Sequence, residues 1–572
     1  MTPSRGRPVG GTLIHDLVGL RAEAHGSAPA FTTGGTTLSF AGWAAASRTA
    51  AARLRARGVR PGDHVLLVFE DAAWPAFAPC FTGVLAAGGV AVPVRRPTTP
   101  DRLRALAAAV RATGVITDAP GEVAAPEPGW TVAAERLLAP GADAVPPPSG
   151  RSAADAAAVV FTSGTTGRPR AIVCAHKEFR LDPRTRALPE APRRAALTSV
   201  AIGTNAALEV LSSCLHNGVH TVVLNPFRPA EVPELVEAHD VVALSLVPTT
   251  ARLVAAELRA AGRTLPRVRS VVCSSAPLDE ATVELLAAAF PGATLRNTYT
   301  VAEGGPSLTS ECRPGAWPAL GRIGGRVRVV DEHGVDVAPG SVGELLVHRT
   351  RSRNVLGAGP ARGGWRPTGD LCLLGADGSV YYVDRADDRI VMGGLTLHPV
   401  EIESALRGHP GVRDAAVFGV PHPVLGQIPV AAVTLAAGTS PGDVRDHCAA
   451  VLPPEQVPRD LMVVAELPVT PNGKVRKERL RADYEAAPAA PAASAPATRN
   501  ETLVAEVFRE VLDVGPLDRD AGFFGLGGHS LLAVAVAEEL TARLGRAVEP
   551  ALVVRHPRVA DLALRLPPPA EG

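Results

Sequence analysis

The chain has 572 residues, 46% of them hydrophobic, so it is too long for one ordinary core and too apolar for a disordered polymer, and two to four domains are expected. Its 58 Lys and Arg against 57 Asp and Glu leave a formal charge of +1, which gives no electrostatic footprint for nucleic acid or an anionic membrane surface. Seven scattered cysteines without CxxC spacing argue against a zinc site or disulfide framework, and no apolar run is long enough for a signal core or a bilayer span, so a soluble cytoplasmic protein is expected.

From residue 13 to about 117, helical and strand-like patterns alternate. Residues 41–57 are alanine-rich and predict a helix, and the run HVLLVFE at 64–70, after the turn RPGD, predicts a short buried strand. Residues 76–87 predict a second helix with Pro79 in its first turn, where a missing N–H is tolerated, and 89–94 a second strand. Apolar runs recur at 157–162, 220–224, 241–246 and 268–273, each beside a helical segment. Strands separated by helices imply an α/β fold with a parallel sheet covered on both faces. From about residue 321 the texture changes to short strands and tight turns (327–331, 343–348, 378–383), which predict a small β-rich subdomain. Residues 399–406 predict a helix opening a separate α+β unit that runs to about 480. YEAAPAAPAASAPAT at 484–498 reads as a semi-extended linker, and the rest as a small helical unit with helices near 500–512, 530–544 and 559–566.

Several segments carry candidate chemistry. TSGTTG (Thr162, Ser163, Gly164, Thr165, Thr166, Gly167) follows a strand end, and its backbone N–H groups and hydroxyls can wrap phosphate oxygens. No Gly-Lys-Ser/Thr closes it, so it is not a Walker A loop, and on these six residues alone a plain surface loop is an equal reading. NTYTVAE at 297–303 offers an aromatic face, Tyr299, and a carboxylate, Glu303, suited to Mg²⁺ beside a triphosphate. WRPTGDL at 365–371 sets Asp370 after a glycine turn, where it can accept from ribose hydroxyls. PVTPNGKVRK at 468–477 sets Lys474 on a tight turn, open to an anion. The only lysines are Lys177, Lys474 and Lys477, all other basic residues being arginine, so each surviving lysine stands out. LGGHSLL at 526–532 puts Ser530 at the start of a helix after a glycine turn. Taken singly, each has a structural alternative: a turn aspartate, a solvated helix start, a surface charge, an N-cap serine.

Their order and spacing resemble the adenylate-forming superfamily, specifically adenylation domains of nonribosomal peptide synthetases, followed by a peptidyl carrier protein domain. The resemblance covers nearly the whole chain. LSFAGWAAAS, GVLAAGGVAVPV, TSGTTGRPR, NTYTVAE, WRPTGDL, DRADDRIVMGG and PNGK resemble successive family motifs, and LGGHSLL after Phe523 and Phe524 resembles the phosphopantetheine attachment site. It implies an adenylation core at 1–386 with parallel sheets, a mobile α+β subdomain at 387–483, the linker at 484–498 and a helical-bundle carrier at 499–572. It further implies attack of a carboxylate on the α-phosphorus of ATP, giving an acyl-adenylate and pyrophosphate. Thr162 to Gly167 would hold the β and γ phosphates and Glu303 the Mg²⁺. Tyr299 would stack on adenine, and Asp370 and Arg385 would belong to the nucleotide site. Lys474 would bridge the substrate carboxylate and the α-phosphate, a task for a compact point charge. Asp387 matches the family hinge. Gly393 and Gly394 would leave room for the thiol arm of a 4'-phosphopantetheine carried by Ser530 and installed by a separate phosphopantetheinyl transferase.

The chain departs from the family pattern at Arg170, where lysine is usual, and at Ala302, where threonine is usual. The pocket departs further. Counting back from Asn217-Gly218 puts Asn205 where α-amino-acid enzymes carry the aspartate that pairs with the substrate ammonium. An amide cannot form that ion pair but can donate to a phenolic or keto oxygen or accept from an aniline N–H. SSAPL and MGGLTLHPVEIE also look closer to acyl- or aryl-acid-activating relatives. Glu209, Val272, Arg296 and Thr298 are candidate pocket residues; Glu209 either receives an amine on the substrate or faces solvent. The expectation is a loading module that activates an aryl acid, an amino- or hydroxybenzoate in class, and passes it to its own Ser530. No condensation or thioesterase domain fits after Gly572, so a downstream condensation or tailoring enzyme is expected as partner, with a small MbtH-like activator as a further one. The alternatives are an α- or β-amino-acid module, a fatty acyl-AMP ligase feeding a polyketide line, and an inactive scaffold whose carrier is loaded in trans.

Overall fold

The computed structural model describes residues 13–123, 129–141, 149–162, 170–179, 193–301, 304–305, 307–348, 354–355, 364–392, 395–422, 425–453, 455–470, 474–486, 495–512, 515, 517–519, 521–523, 526 and 530–567. It divides into two compact units. The larger holds residues up to Val383 together with Val469–Lys474; the smaller holds Asp384–Pro468 and everything from Val475 onward.

In the larger unit, the strand at His64–Glu70 forms as the apolar run predicts, paired in parallel with Val90–Arg96 on one side and Gly114–Thr117 on the other. These strands belong to a seven-stranded sheet. Two helices, Phe40–Ala56 and Trp74–Ala87, pack together over a core that contains Phe31, Trp43, Trp74, Phe77 and Phe81. Gly83 permits their close approach: a Cβ there would lie 2.6 Å from that of Ala50. The buried indole of Trp43 donates to Thr82 Oγ1 at 2.9 Å, so the contact is satisfied as well as tight. The second helix corrects the sequence reading. It starts at Trp74, with Pro75 in its first turn, and Pro79 lies inside it rather than in the opening turn.

A second sheet has eight strands in the order 308–312, 294–299, 270–274, 241–246, 193–198, 219–223, 29–33 and 36–39. One face is aliphatic. Leu197, Val222, Leu244, Val271 and Leu295 bury against the helices Pro248–Ala260 and Glu280–Ala289. The other face carries Thr198, Thr221, Ser245 and Ser274 at the alternate positions, and this face makes the cavity described below. The predicted β-rich region is a five-stranded sheet of Ala319–Arg322, Ser379–Arg385, Trp365–Leu374, Val342–His348 and Val327–Val330, antiparallel at each register the described pairs give.

The smaller unit contains the helix Pro399–Gly408 against the long antiparallel pair Val412–His422 and Gly426–Leu435. The helix Lys477–Ala486 runs over the first three residues of the expected linker, with the Tyr484 hydroxyl donating to Asp460 at 3.1 Å. The C-terminal helices are Arg499–Leu512, Ser530–Leu544, Pro550–Arg555 and Val559–Ala563; the third of these was not anticipated. They close over Val504, Phe508, Phe523, Val536, Leu540, Val559 and Leu562.

Burial has a pH consequence. His176 is 3% exposed, with its ring set edge-on to His15 at 5.6 Å. Burial, then His15 and Arg151, push its imidazole down from 6.5 to about 4, against the opposing pull of Asp155. A histidine held neutral in the fold contributes stability that is full above its unfolded value and lost as pH falls toward its folded value. The melting temperature should therefore drop between pH 6.5 and about 4, and His176→Leu should flatten that drop in thermal melts across the same range.

Candidate active site

The cavity of ≈ 680 Å³ in the larger unit lies on the hydroxyl-bearing face of the eight-stranded sheet. Its other wall is the helix Asn205–Asn217, which presents Ala206, Glu209, Val210 and Ser213 to it, a stripe at helical spacing. The opposite stripe, Ala207, Leu208, Leu211, Cys214 and Leu215, is core. Three local features fix this helix. Thr204 caps it by accepting from Ala207 N at 3.1 Å. The buried guanidinium of Arg21 donates to the carbonyls of Leu215 and His216 at 2.9 and 3.0 Å, satisfying the far end. Gly203, at φ 87°, lets the entry turn pass the strand end at Arg95, where a Cβ would sit 3.1 Å from the Arg95 nitrogen.

Asn205 and Glu209 meet. Asn205 Nδ2 donates to Glu209 Oε1 at 2.9 Å across one turn. Glu209 lines the cavity, whereas Asn205 is not among the lining residues. Val272, Arg296 and Thr298 do not line it either. Ser245 pairs with Val272 and Val272 with Arg296, so they share the cavity's face of the sheet; Val272 lies two residues before the lining Ser274 on its strand, and Arg296 and Thr298 are one strand farther out. There Arg296 Nη1 donates to Ser270 at 3.1 Å and the Thr298 hydroxyl meets that of Thr309 at 3.2 Å. The sequence reading missed most of the lining: Thr198, Thr221, Ser245, Ser275 and the ion pair of Asp71 with Arg95 at 2.5 Å. Burial pushes the Asp71 carboxyl up, and Arg95 and the Ile202 N–H pull it back.

The lysine turn belongs to the same unit. Lys474 N donates to Thr470 Oγ1 at 3.1 Å and Thr470 N to the Lys474 carbonyl at 2.7 Å, which closes the turn, and Val469 and Thr470 line the cavity. Lys474 itself is exposed. Tyr299 and Asp370, 71 residues apart, are joined: the phenol donates to Asp370 Oδ2 at 2.5 Å. Burial, then the Asp370 charge, hold the phenol well above its ordinary range, so it stays a donor at neutral pH. Gly369, at φ 74°, donates to Glu344 at 3.0 Å and turns the buried Asp370 into place.

In the smaller unit, Arg385 ends its strand with its N–H on Asp384 Oδ1 at 2.8 Å, and Asp387 is exposed in the turn at 386–388, just past the division between the units. Ser530 is the first residue of its helix. The phosphate-loop candidates Ser163, Gly164, Thr165, Thr166 and Gly167 lie outside the described residues, as do Glu303, Gly393 and Gly394, while Thr162 ends the strand Ala156–Thr162. Among the described residues no cluster of three or more His, Cys, Asp or Glu is arranged to hold a metal ion, and no helix is long and apolar enough to cross a membrane.

Residues 20–354 match the AMP-binding enzyme family. The chain belongs to that family. Residues 401–474 match the AMP-binding enzyme C-terminal domain and 502–566 the phosphopantetheine attachment site. It is similar to a feruloyl-CoA synthase of an Amycolatopsis species, 30% identical over 81% of this chain and 97% of that protein. Among solved structures, its fold matches McyG A-PCP complexed with phenylalanyl-adenylate (TM-score 0.80, 18% identity, 98% of this chain and 99% of that one). It also matches the anthranilate CoA ligase AuaEII in complex with anthranoyl-AMP (TM-score 0.69, 21% identity, 83% and 97%). This AMP-binding enzyme is an ATP-dependent, AMP-forming ligase with a carrier domain on the same chain, and its α/β core, C-terminal subdomain and helical carrier are those expected from the sequence.

Proposed function

We propose that this ligase activates an aryl acid, an amino- or hydroxybenzoate in class, and loads it onto its own carrier domain as the starting step of a nonribosomal product. The observation that carries this reading is Asn205. By the count from Asn217-Gly218 it stands where α-amino-acid enzymes carry the ion-pairing aspartate, and its amide donates to Glu209, which lines the cavity one helical turn on. Two of the similar proteins have names that refer to aryl acids, a feruloyl-CoA synthase and an anthranilate CoA ligase, which supports the same class.

In this reading Lys474 sets its ammonium between the substrate carboxylate and the α-phosphate. It neutralises both as the carboxylate oxygen bonds to phosphorus and pyrophosphate leaves. Thr162 to Gly167 would hold the β and γ phosphates, and Glu303 would hold the Mg²⁺ that offsets their charge. Asp370, fixed by the Tyr299 phenol, accepts from the ribose hydroxyls while the Tyr299 ring flanks adenine. Arg385 would belong to the same nucleotide site, Asp387 would be the hinge, and Gly393 and Gly394 would give passage to the carrier's arm. Ser530 fits a phosphopantetheine, because the first residue of a 15-residue helix sits where unsatisfied N–H groups favour a phosphate. That group, when attached, supplies the thiol that receives the acyl chain. A phosphopantetheinyl transferase, a downstream condensation or tailoring enzyme and an MbtH-like activator are the partners this function requires or admits.

ATP–pyrophosphate exchange across benzoates, aminobenzoates, hydroxybenzoates, α- and β-amino acids and long-chain fatty acids tests it. An aryl acid should lead the panel; exchange led by an α-amino acid overturns the aryl reading.

A further inference from the structure

We infer that Asp71 is a positioning residue for the acid: its carboxylate clamps strand ends from the two sheets together and so sets the shape of one end of the cavity. This rests on the proposed reading that the cavity takes the acid, and not on the acid being aromatic.

The two sheets of the larger unit meet at this end. Asp71 directly follows the strand His64–Glu70, and Arg95 lies in the last turn of residues of Val90–Arg96, its parallel neighbour in the seven-stranded sheet. Ile202 and Asn225 follow the strands Arg193–Thr198 and Val219–Val223, parallel neighbours in the eight-stranded sheet. Ligands of open α/β sheets sit in the crevice outside the carboxyl ends of parallel strands, which is where these four residues lie. One carboxylate bridges the two sets. Asp71 Oδ1 accepts from Ile202 N at 2.8 Å, and Oδ2 accepts from Arg95 Nε at 2.5 Å. The Asn225 amide adds a second tie, donating to the Val200 carbonyl at 3.2 Å and to the Asp71 carbonyl at 3.4 Å. Asp71, Arg95, Val200 and Asn225 all line the cavity, so the clamp is part of its wall. Ile202 leads through Gly203 to Thr204, the cap of the helix Asn205–Asn217, so a shift at Ile202 moves the start of that wall helix. The Asp71 side chain is 11% exposed, so its charge-assisted bonds are shielded from water and demanding in geometry. Each of its oxygens already holds a bond within the protein, so Asp71 acts through the segments it joins.

Pyrophosphate exchange on the full chain, with the acid that leads the panel, tests this by reading KM for the acid and for ATP separately. Asp71→Ala removes both bonds and should raise KM for the acid about tenfold or more, with KM for ATP within about twofold of wild type. Asp71→Asn keeps an oxygen for the Ile202 N–H and gives up the ion pair, and Arg95→Ala gives up the same pair from the other side. Each should raise KM for the acid by about threefold, less than the alanine at 71. Loss of folded protein lowers kcat and leaves both KM values where they were, so misfolding cannot imitate the result. If Asp71→Ala yields no folded protein, the other two variants carry the test. Ser245→Leu, which adds bulk to the cavity lining, is the reference for the cavity itself and should also raise KM for the acid. A rise in Ser245→Leu with none in the Asp71 and Arg95 variants overturns the clamp and leaves the cavity reading standing. No rise in Ser245→Leu means that the acid binds elsewhere, and the cavity reading and this inference fall together. Equal rises in both KM values in Asp71→Ala make Asp71 a prop of the whole unit and overturn its assignment to the acid.

Discussion

Lys474→Ala is expected to lower pyrophosphate exchange by about 10²–10³-fold, the scale of losing one preorganised charge at a developing phosphoryl transition state. The physical case begins with composition. In a chain with only three lysines among its 58 Lys and Arg, one persists on a turn where a flat, five-donor fork would be the wrong shape for two oxygens on different molecules. Lys474 meets Thr470 through its own backbone N–H and carbonyl, not its side chain, so the exposed side chain contributes little to folding. Its removal should leave the melting temperature within about a degree or two of wild type, as for an exposed substitution of this kind. Lys474→Arg keeps the charge and changes the geometry, and it should recover only part of the rate. If the alanine variant exchanges as well as wild type, this lysine is a surface charge and its assignment to the reaction fails.

The three lysines also show what a single sequence can reveal. Scarcity marked all three, but only position separates their uses. Lys477 Nζ bonds Glu403 at 2.7 Å, and Glu403 in turn accepts from Val417 N at 2.9 Å, so Lys477 ties the helix Pro399–Gly408 into the smaller unit's charge network. No motif spacing separates this tying lysine from the one proposed to react, three residues away. Strands such as His64–Glu70 were legible because an unbroken apolar run between turn residues has few other ways to bury itself. The helix at Trp74–Ala87 starts two residues before the predicted 76–87, which moves Pro79 from the first turn into the interior. Its burial on nearly every side offsets one missing backbone bond. The pair Asn205–Glu209 is separated by a helical turn and could be seen as neighbours. The cavity's opposite wall could not. Thr198, Thr221, Ser245 and Ser274 come from four strands whose adjacency follows from sheet order, not chain order. The only trace was a hydroxyl at alternate positions within otherwise apolar strands, as in VVALSL. The Tyr299–Asp370 bond is of the same kind, a long-range contact between two motifs that the sequence offers separately.

Ser530→Ala is expected to abolish attachment of the pantetheine arm outright, and with it any acyl group retained on the protein. The loss is expected to be complete rather than graded because, in the proposed role, the Ser530 hydroxyl oxygen is the atom that forms the phosphodiester. The helix that Ser530 opens is held in place by its packing. Val536 and Leu540 on its buried face pack with Val504, Phe508 and Phe523, the two phenyl rings 5.3 Å apart. Phe523 N donates to the Pro557 carbonyl at 2.6 Å, and the Asn500 amide reaches the carbonyls of Ala563 and Leu566 at 3.1 and 3.2 Å. These bonds tie the segment before the helix and the chain end to one core, so alanine, the best helix former, should keep the bundle folded. Intact-mass measurement after incubation with a phosphopantetheinyl transferase and coenzyme A reads the first step. A second incubation with ATP and the acid that leads the exchange panel reads the acyl adduct. Pyrophosphate exchange on the same preparation reports whether the larger unit is sound. A mass increase in Ser530→Ala would move the attachment to another residue. An acyl adduct without the arm would mean that the activated acid is captured by a different nucleophile, and the link between the two ends of the chain would have to be redrawn.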